Sequence, residues 1–219
     1  MEWVLLGLAG VGAATWGGRR IWGRLEDRRE RAEAVAVLVK LCEEDVTLLG
    51  EQLRRLDAET AVRPLDEPGR VDYQSALDAY ESAQRDVQGV SELDQVTTVI
   101  DTLNDGRYAL ACVQARVAGE AVPEKRTPCF FNPQHGPSVT DVMFTARAGG
   151  TKRVPACAQD AARVNAGEKP GIRKVEVRGH KIDYLEVRTM SKIYADPSAM
   201  NALLASDMKR MLDDNTGHI

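Results

Sequence analysis

Four residues of types that bind metals or perform nucleophilic chemistry lie within 32 positions of one another. Cys129 and His135 belong to a segment with three prolines and a glycine, residues 127–138. Cys157 and Asp160 are three residues apart at the start of a predicted short helix, so both side chains project from one helical turn. Zinc prefers four nitrogen, sulfur or oxygen ligands in a tetrahedron. The sequence therefore predicts a zinc site at Cys129, His135, Cys157 and Asp160.

Two other interpretations of these residues stay open at this point. In the first, both cysteines are small core residues and His135 forms a loop hydrogen bond. In the second, Cys129 is a nucleophile, His135 is its base and Asp160 orients the base. The Cys-x5-His spacing is wider than that of the usual zinc knuckle, and aspartate is a rarer structural ligand. The sequence marks neither an oxyanion hole nor a substrate pocket, so we expect no enzyme activity.

The segment between the two residue pairs predicts a β-hairpin. Residues 139–145 form the first strand, residues 148–150 the turn and residues 152–155 the returning strand. A helix follows at 157–165. Treble-clef zinc sites have the same order along the chain: ligands on a loop, then a hairpin, then ligands on the first turn of a helix. Beyond this unit, a second hairpin is predicted, with strands at 174–177 and 181–186.

Two segments resemble an uncharacterised family of membrane-anchored proteins from high-GC Gram-positive bacteria. They are residues 129–139, CFFNPQHGPSV, and residues 154–168, VPACAQDAARVNAGE. The resemblance covers roughly residues 20–190 and implies a membrane anchor and a bacterial source, but no particular activity. In similar sequences the second motif is sometimes Cys-x2-Cys, and Asp160 occupies the second of those positions here.

The residues before this region predict three amphipathic helices. In the first, residues 24–60, the apolar residues Val35, Cys42, Leu49 and Leu56 recur every seven positions. The second covers 71–90, and the third begins after a Ser91 cap with Asp94 as its capping-box partner. None of the three apolar stripes can be buried alone, which favours an antiparallel three-helix bundle over 23–122. Self-association of the first helix as a coiled coil is the alternative use of its stripe. Cys42 and Cys112 lie in or beside these stripes and are expected to be buried, inert thiols.

The distribution of charge supports separate modules. Residues 1–122 contain 14 Lys and Arg against 22 Asp and Glu, whereas residues 123–192 contain 13 against 7. The whole chain has a net charge of −4, which argues against a broadly basic nucleic-acid binder. Four cysteines in 219 residues are too few for a disulfide scaffold. The basic residues of 123–192 are expected to complement the acidic bundle, and we expect no nucleic-acid partner.

The first 22 residues predict a membrane anchor. Residues 3–18 contain no charged side chain, and as a helix they span about 24 Å, slightly less than a hydrocarbon core of about 30 Å. Arginines at 19 and 20 can extend toward the headgroups, and two apolar residues follow them. Glu2 is the only charged side chain before the apolar stretch, whereas a cleaved signal peptide has positive charge there. Positive charge after the stretch places the following chain in the cytoplasm. A buried or interfacial helix and a cleaved signal remain the alternatives.

The C-terminal residues predict one more amphipathic helix over 193–219. Asp196 and Pro197 form a typical helix start. One face carries six apolar residues, three of them methionines: Met200, Leu203, Leu204, Met208, Met211 and Leu212. This face is either an adaptable docking surface for a partner or a surface that packs back on the module or bundle.

Together these features predict an α+β protein in four parts. They are a single-pass anchor at 1–22, the bundle at 23–122, a small hairpin-rich module at 123–192 and the helix at 193–219. The predicted function is that of a membrane-tethered interaction protein that presents its cytoplasmic module to a protein partner, with homo-oligomerisation as a further possibility. The alternative is an accessory enzyme of the cell envelope whose exported module uses Cys129 and His135.

The anchor prediction is tested by removing residues 1–22. We expect the shortened chain to move from the membrane to the soluble fraction and to keep most of its helical circular dichroism, because the stripes of the three helices lie outside the deletion. Fractionation by ultracentrifugation measures the first outcome. Recovery of the shortened chain only in membranes would show that another segment attaches it.

Overall fold

A computed structural model describes residues 2–145, 150–177 and 179–187, with side chains described from residue 28 onward except that of Glu30. The chain is α+β, as predicted. Four helices are α1 (Glu2–Val62), α2 (Glu67–Asp86), α3 (Leu93–Ala118) and α4 (Ala158–Asn165). Four strands are β1 (Thr140–Thr145), β2 (Thr151–Ala156), β3 (Lys174–Val177) and β4 (His180–Asp183), and they form two antiparallel hairpins.

The first three helices pack as an antiparallel bundle. Gly50 on α1 lies against Tyr80 on α2, and the Tyr73 hydroxyl donates to Asp57 at 3.2 Å, so the two helices run in opposite directions. Asp72 on α2 accepts from Arg116 on α3 at 2.9 Å, and Ala79 lies near Gly106, so α3 runs opposite to α2. The bundle hereafter means residues 35–118.

The predicted apolar stripes form the core of this bundle. Val35, Leu49 and Leu56 of α1 are buried, and Leu103 and Val113 of α3 face them. Smaller side chains of α2, chiefly alanines, let its backbone approach the other two helices. Cys42 and Cys112 are buried free thiols, as expected. Burial raises the pKa of the Cys42 thiol to about 12, so it stays protonated near neutral pH.

Helix α2 begins earlier than the sequence pattern predicts. Its first residue is Glu67 rather than residue 71. Asp66 is the N-cap, and its carboxylate accepts from the Gly69 amide at 2.8 Å. Pro68 lies in the first turn, where its missing N–H costs no hydrogen bond. The proline thus starts the helix instead of prolonging the turn.

Two expectations for α3 were wrong. Its capping box is formed by Glu92 and Gln95, rather than by Ser91 and Asp94, because Gln95 reaches back to the Glu92 amide. The Asn104-Asp105-Gly106 step has the composition of a turn and predicts a kink or a break, yet it lies inside an unbroken α3. A side chain at Gly106 would meet Leu49 at 3.1 Å and Ala79 at 3.0 Å, so tight packing of the three helices explains the glycine.

Residues after the bundle form a small module with its own core. Strands β1 and β2 pair from Thr140 opposite Ala156 to Thr145 opposite Thr151, close to the predicted hairpin. Phe131 is fully buried and packs edge-on against Phe144, with ring centroids 4.9 Å apart. The small module hereafter means the loop, hairpin and helix over residues 127–173.

The second hairpin belongs to the bundle rather than to the small module. Val175 and Val187 are buried in the bundle's apolar core, and Val177, Ile182 and Tyr184 pack against it. The module predicted at 123–192 includes this hairpin, with Val175 and Ile182 in the module's own core. The hairpin therefore extends the bundle's core and brings the end of the described chain onto it.

A buried carboxylate joins the bundle to the small module. Asp45 Oδ1 on α1 accepts from Gln134 Nε2 and from Arg173 Nη1, each at 2.7 Å. Asp45 Oδ2 lies 3.0 Å from Arg107 Nη2 on α3. The arginine side chains are 4% and 8% exposed, for Arg107 and Arg173 respectively. We call Asp45, Arg107, Gln134 and Arg173 the Asp45 junction.

Two predicted segments lie outside this description. The side chains of the predicted anchor, residues 1–22, are not among those described, and the predicted C-terminal helix lies beyond residue 187. Within the described part of the chain, no helix has an apolar stretch of the length that crossing a membrane requires. Both segments remain predictions.

The Asp45 junction predicts a large difference between two neighbouring carboxylates. Asp45→Ala is expected to destabilise the chain by about 3 kcal/mol or more, because it leaves buried arginine charge without its counter-charge. Glu44→Ala is the matched control. Glu44 also pairs with Arg173, at 3.0 Å, but its side chain is 52% exposed, and loss of such a pair costs about 1 kcal/mol or less.

Urea unfolding followed by circular dichroism measures both free energies. Equal losses of stability in Asp45→Ala and Glu44→Ala would contradict the special role of the buried carboxylate.

Candidate metal site

The loop that carries Cys129 and His135 is shaped by its own backbone. The Cys129 amide donates to the Gly136 carbonyl at 3.1 Å, which brings the two ends of the loop together. Between them, the Asn132 side chain accepts from the Gln134 amide at 3.0 Å and starts a short 3-10 turn, Pro133–His135. Gly136 ends this turn with a φ of 82°, a left-handed conformation that favours glycine. The imidazole is thereby turned back toward Cys129.

Helix α4 supplies the other two residues from its first turn. Cys157 is the N-cap, and its sulfur accepts from the Asp160 amide at 3.5 Å. Strand β2 leads directly into this turn, and the Phe130 amide donates to the Pro155 carbonyl at 2.9 Å. The hairpin thus holds the loop and the helix start side by side.

All four predicted residues converge. One ligand atom from each of Cys129, His135, Cys157 and Asp160 lies within 4.8 Å of the other three. Asp160 Oδ2 is central, at 2.9 Å from His135 Nδ1 and 3.3 Å from Cys129 Sγ. Cys157 Sγ is 3.6 Å from both His135 Nδ1 and Asp160 Oδ2. We call these residues the four-residue cluster.

The second oxygen of Asp160 is held by groups outside the cluster. The Gly171 amide donates to Asp160 Oδ1 at 2.7 Å, and Arg163 Nη1 lies 3.4 Å from the same oxygen. These contacts fix the carboxylate plane and leave Oδ2 facing the sulfurs and the imidazole. Arg163 also offsets part of the negative charge of a site that contains one carboxylate and two thiols.

Three of the four side chains are shielded from water. Cys129, Cys157 and Asp160 are buried, and Asp160 has no exposed surface, whereas the His135 side chain is 25% exposed. A fully buried carboxylate is costly unless its charge is compensated. Its burial among two thiols and an imidazole is therefore the strongest sign of a specific site in the described residues.

Hydrogen bonding in the cluster shifts its pKa values in different directions. For Cys129, burial raises the pKa, but hydrogen bonds with His135 and with nearby backbone amides outweigh it, so the pKa lies below its usual value. The hydrogen bond to Cys129 raises the pKa of His135, with a further contribution from Asp160. For Asp160, burial is outweighed by the Gly171 amide and the cluster itself, so its pKa is lowered.

The pKa of the Cys157 thiol shifts in the opposite direction to that of Cys129. Burial raises its pKa to about 11, although the hydrogen bond from the Asp160 amide works in the opposite direction. Negative charge on Cys129 and Asp160 raises it further. Without a cation, the cluster therefore stabilises one thiolate better than two.

Three of the spacings among the four ligand atoms match those of a tetrahedral metal site. Zinc bonds of about 2.3 Å to sulfur and about 2.0–2.2 Å to nitrogen or oxygen place neighbouring ligand atoms roughly 3.3–3.8 Å apart. The Cys129–Asp160, Cys157–His135 and Cys157–Asp160 distances of 3.3, 3.6 and 3.6 Å lie in this range. The 2.9 Å His135–Asp160 contact is a hydrogen bond that a metal would replace. The donor set and these spacings could therefore hold a metal ion.

The interpretation of both cysteines as small core residues describes their apolar surroundings but not the direction of their sulfurs. Cys129 and Cys157 do lie among the buried apolar residues of the small module. Their sulfurs, however, face the same polar group, Asp160, instead of separate apolar regions. His135 likewise points to the cluster, with Nδ1 toward Asp160.

Two residues that position the cluster escaped sequence reasoning. Arg163 follows Asp160 by three positions on α4, a spacing that could have revealed the pair. Gly171 gave no such signal, because it acts through its amide from a separate segment. Comparison with known proteins adds nothing to these assignments, since no family model, curated protein or solved structure matches the chain.

Close packing around the cluster predicts a cost for any side chain at Gly171. A Cβ there would lie 2.8 Å from Arg163 Nη1 and 3.3 Å from both Asp160 Oδ1 and His135 Cε1. The Arg163 guanidinium can move aside, whereas the buried Asp160 carboxylate cannot, so we expect Gly171→Ala to destabilise the chain by about 1 kcal/mol, the lower end of what overpacking costs.

Gly150→Ala is the matched control, because a Cβ at Gly150 meets nothing within 4 Å. The two variants make the same change to the unfolded chain. Urea unfolding of both variants measures their free energies of unfolding, and the difference reflects the native state alone. Equal free energies would show that the side chains around Gly171 move aside without cost.

Proposed function

We propose that this chain is a membrane-tethered interaction protein whose small module is held together by a structural zinc ion. The observation that carries the proposal is the convergence of Cys129, His135, Cys157 and Asp160, with their ligand atoms within 4.8 Å of one another. The residues are spread over a loop and a helix start, so the fold itself must bring them together. A metal supplies a physical reason for placing a buried carboxylate beside two thiols.

A structural role for the ion follows from the shape of the site. The four side chains provide a complete tetrahedral set, whereas catalytic zinc sites usually keep one position for water or substrate. With zinc, two thiolates and one carboxylate, the site has a formal charge of −1, and Arg163 lies close enough to offset it. No position is then left for a reacting group.

The size of the small module supports the same role. Its core is built from a few side chains around Phe131, Val142 and Val154. Modules this small often need a metal or disulfides to be stable. All four cysteines of the chain are free, so disulfides do not supply this stability. Cytoplasmic placement, as the sequence predicts, keeps thiols reduced and available to a metal.

The exposed face of the β1–β2 hairpin supports an interaction role. Val139 and Met143 are four residues apart, on the same side of the extended chain, and are 54% and 61% exposed. Arg153 lies opposite Met143 across the hairpin. Between the two apolar residues, on the same side, lies Asp141, which pairs with Arg153 at 3.3 Å. Two exposed apolar side chains that flank an ion pair form a suitable contact for a protein partner. The membrane tether and the single-pass, cytoplasmic topology rest on the sequence of residues 1–22.

The alternative function, a cell-envelope enzyme with Cys129 and His135 as its active pair, requires a nucleophile that a substrate can reach. Cys129 is 1% exposed, and its sulfur faces the buried Asp160. A thiolate bound to zinc in a closed site is also a poor candidate for attack on a substrate. These observations favour the structural zinc site over the enzyme.

Metal analysis of the purified full chain tests the proposal. We expect about one zinc per chain, because one closed four-ligand site binds one ion. Cys157→Ser is expected to lose the zinc and to open the small module to limited proteolysis, since metal binding and folding are coupled in such sites.

Cys112→Ser is the matched control. Cys112 is also a buried free thiol, but it lies in the bundle, so this variant should keep its zinc. Mass spectrometry with inductively coupled plasma measures the metal content of each variant. Chains that contain no zinc after purification and after incubation with the ion, or that keep zinc in Cys157→Ser, would overturn the proposal.

A further inference from the structure

A large cleft opens between the bundle and the small module. Its volume is about 1070 Å³, and it runs between α1 and α3 toward Pro155 and Arg173. Its apolar wall comes from the two helices, chiefly Val35, Leu38, Leu41, Val96 and Ile100. An apolar wall of this length is the kind of surface that a further amphipathic helix covers.

The cleft lies where helix α2 no longer covers the other two helices. Tyr80 of α2 packs at Gly50 of α1, and α2 ends six residues later, at Asp86. Since the two helices are antiparallel, the part of α1 before about residue 44 extends beyond α2. The cleft therefore occupies a place beside α1 and α3 that a fourth helix could fill.

The end of the described chain arrives at this place. Tyr184 lines the cleft, and Val187, the last described residue, is buried in the bundle's apolar core. Residues 184–187 are already helical. Another 32 residues of sequence follow Val187.

The sequence beyond residue 187 has the properties of a covering helix. The predicted amphipathic segment, residues 196–214, carries one apolar face with Met200, Leu203, Leu204, Met208, Met211 and Leu212. The segment has four aspartates against one lysine and one arginine, a net charge of −2. Outside the Asp45 junction, the cleft is lined by Arg28 and Arg31 against Glu92 and Asp94, so these two arginines are the cations that the segment's aspartates can approach.

We propose that residues 196–214 of the same chain dock into this cleft and complete the bundle as a fourth helix. Eight residues, 188–195, separate Val187 from the segment and span up to about 27 Å when extended, enough to place it alongside α1 and α3. Methionine-rich faces adapt well to irregular apolar walls. The docked segment contacts the apolar wall of the cleft, in which Leu93 and Ile100 are only partly buried.

Photo-cross-linking in the full chain tests this docking. Replacing Met208 by p-benzoylphenylalanine puts the reactive group on the apolar face of the segment. We expect irradiation to join position 208 to cleft residues of the same chain, in particular Leu38, Val96 or Ile100, as mapped by peptide mass spectrometry. The same replacement at Ser206, on the opposite face of the helical wheel, is the control and should cross-link to the cleft several-fold less.

Isotope mixing separates the possible occupants. When chains labelled with ¹⁵N are mixed with unlabelled chains, docking within one chain gives only cross-links between peptides of the same label. Mixed-label cross-links would show that a second copy fills the cleft, and cross-links at other places, or none at either position, would show that the segment lies elsewhere. Each of these results would overturn the proposal.

Discussion

The arrangement of the whole described chain depends on one buried carboxylate. Asp45 forms an ion pair with Arg107 on α3. It also accepts hydrogen bonds from Arg173, in the segment before β3, and from Gln134, in the loop of the four-residue cluster. A charge in this position is costly unless every partner is in place. The contact with Arg107 lies within the bundle, and those with Gln134 and Arg173 tie the small module to it. Because Gln134 precedes His135, its contact with Asp45 also holds the loop from which the imidazole reaches Asp160.

Much of the bundle could be predicted from the sequence because its stripes are long and regular. The residues that recur along α1 are the buried ones, and the β1–β2 hairpin lies within a residue of its predicted ends. The errors arose where tertiary packing decides the outcome. Gly106 reads as a helix breaker in isolation, but in the bundle it makes room for Leu49. The sequence likewise did not show which core the second hairpin packs against. Val175 and Ile182 are apolar, but no pattern around them distinguishes the core of the bundle from that of the small module.

For the candidate site, too, the residue types could be predicted from the sequence, whereas their positions in space could not. The four residue types and their order along the chain predicted a metal site, although the same residues also fitted a core or a nucleophilic interpretation. Their convergence and the burial of Asp160 depend on contacts between segments far apart in sequence, such as the one from Gly171. Asp45 was detectable in principle, as it follows Cys42 by three positions and so interrupts an apolar stripe. What it binds could only be seen in three dimensions.

Helix α1 has a consequence for how the protein is oriented. It is a single unbroken helix of 61 residues, about 92 Å long, that contains Asp45 and begins in the predicted anchor. Successive residues of an α-helix are turned by about 100° around the axis. The helix therefore sets the orientation of the small module about the helix axis. It also sets the distance of the module from the helix start. One residue inserted between positions 22 and 35 would swing the module about a quarter turn around the axis, with every contact of the bundle preserved.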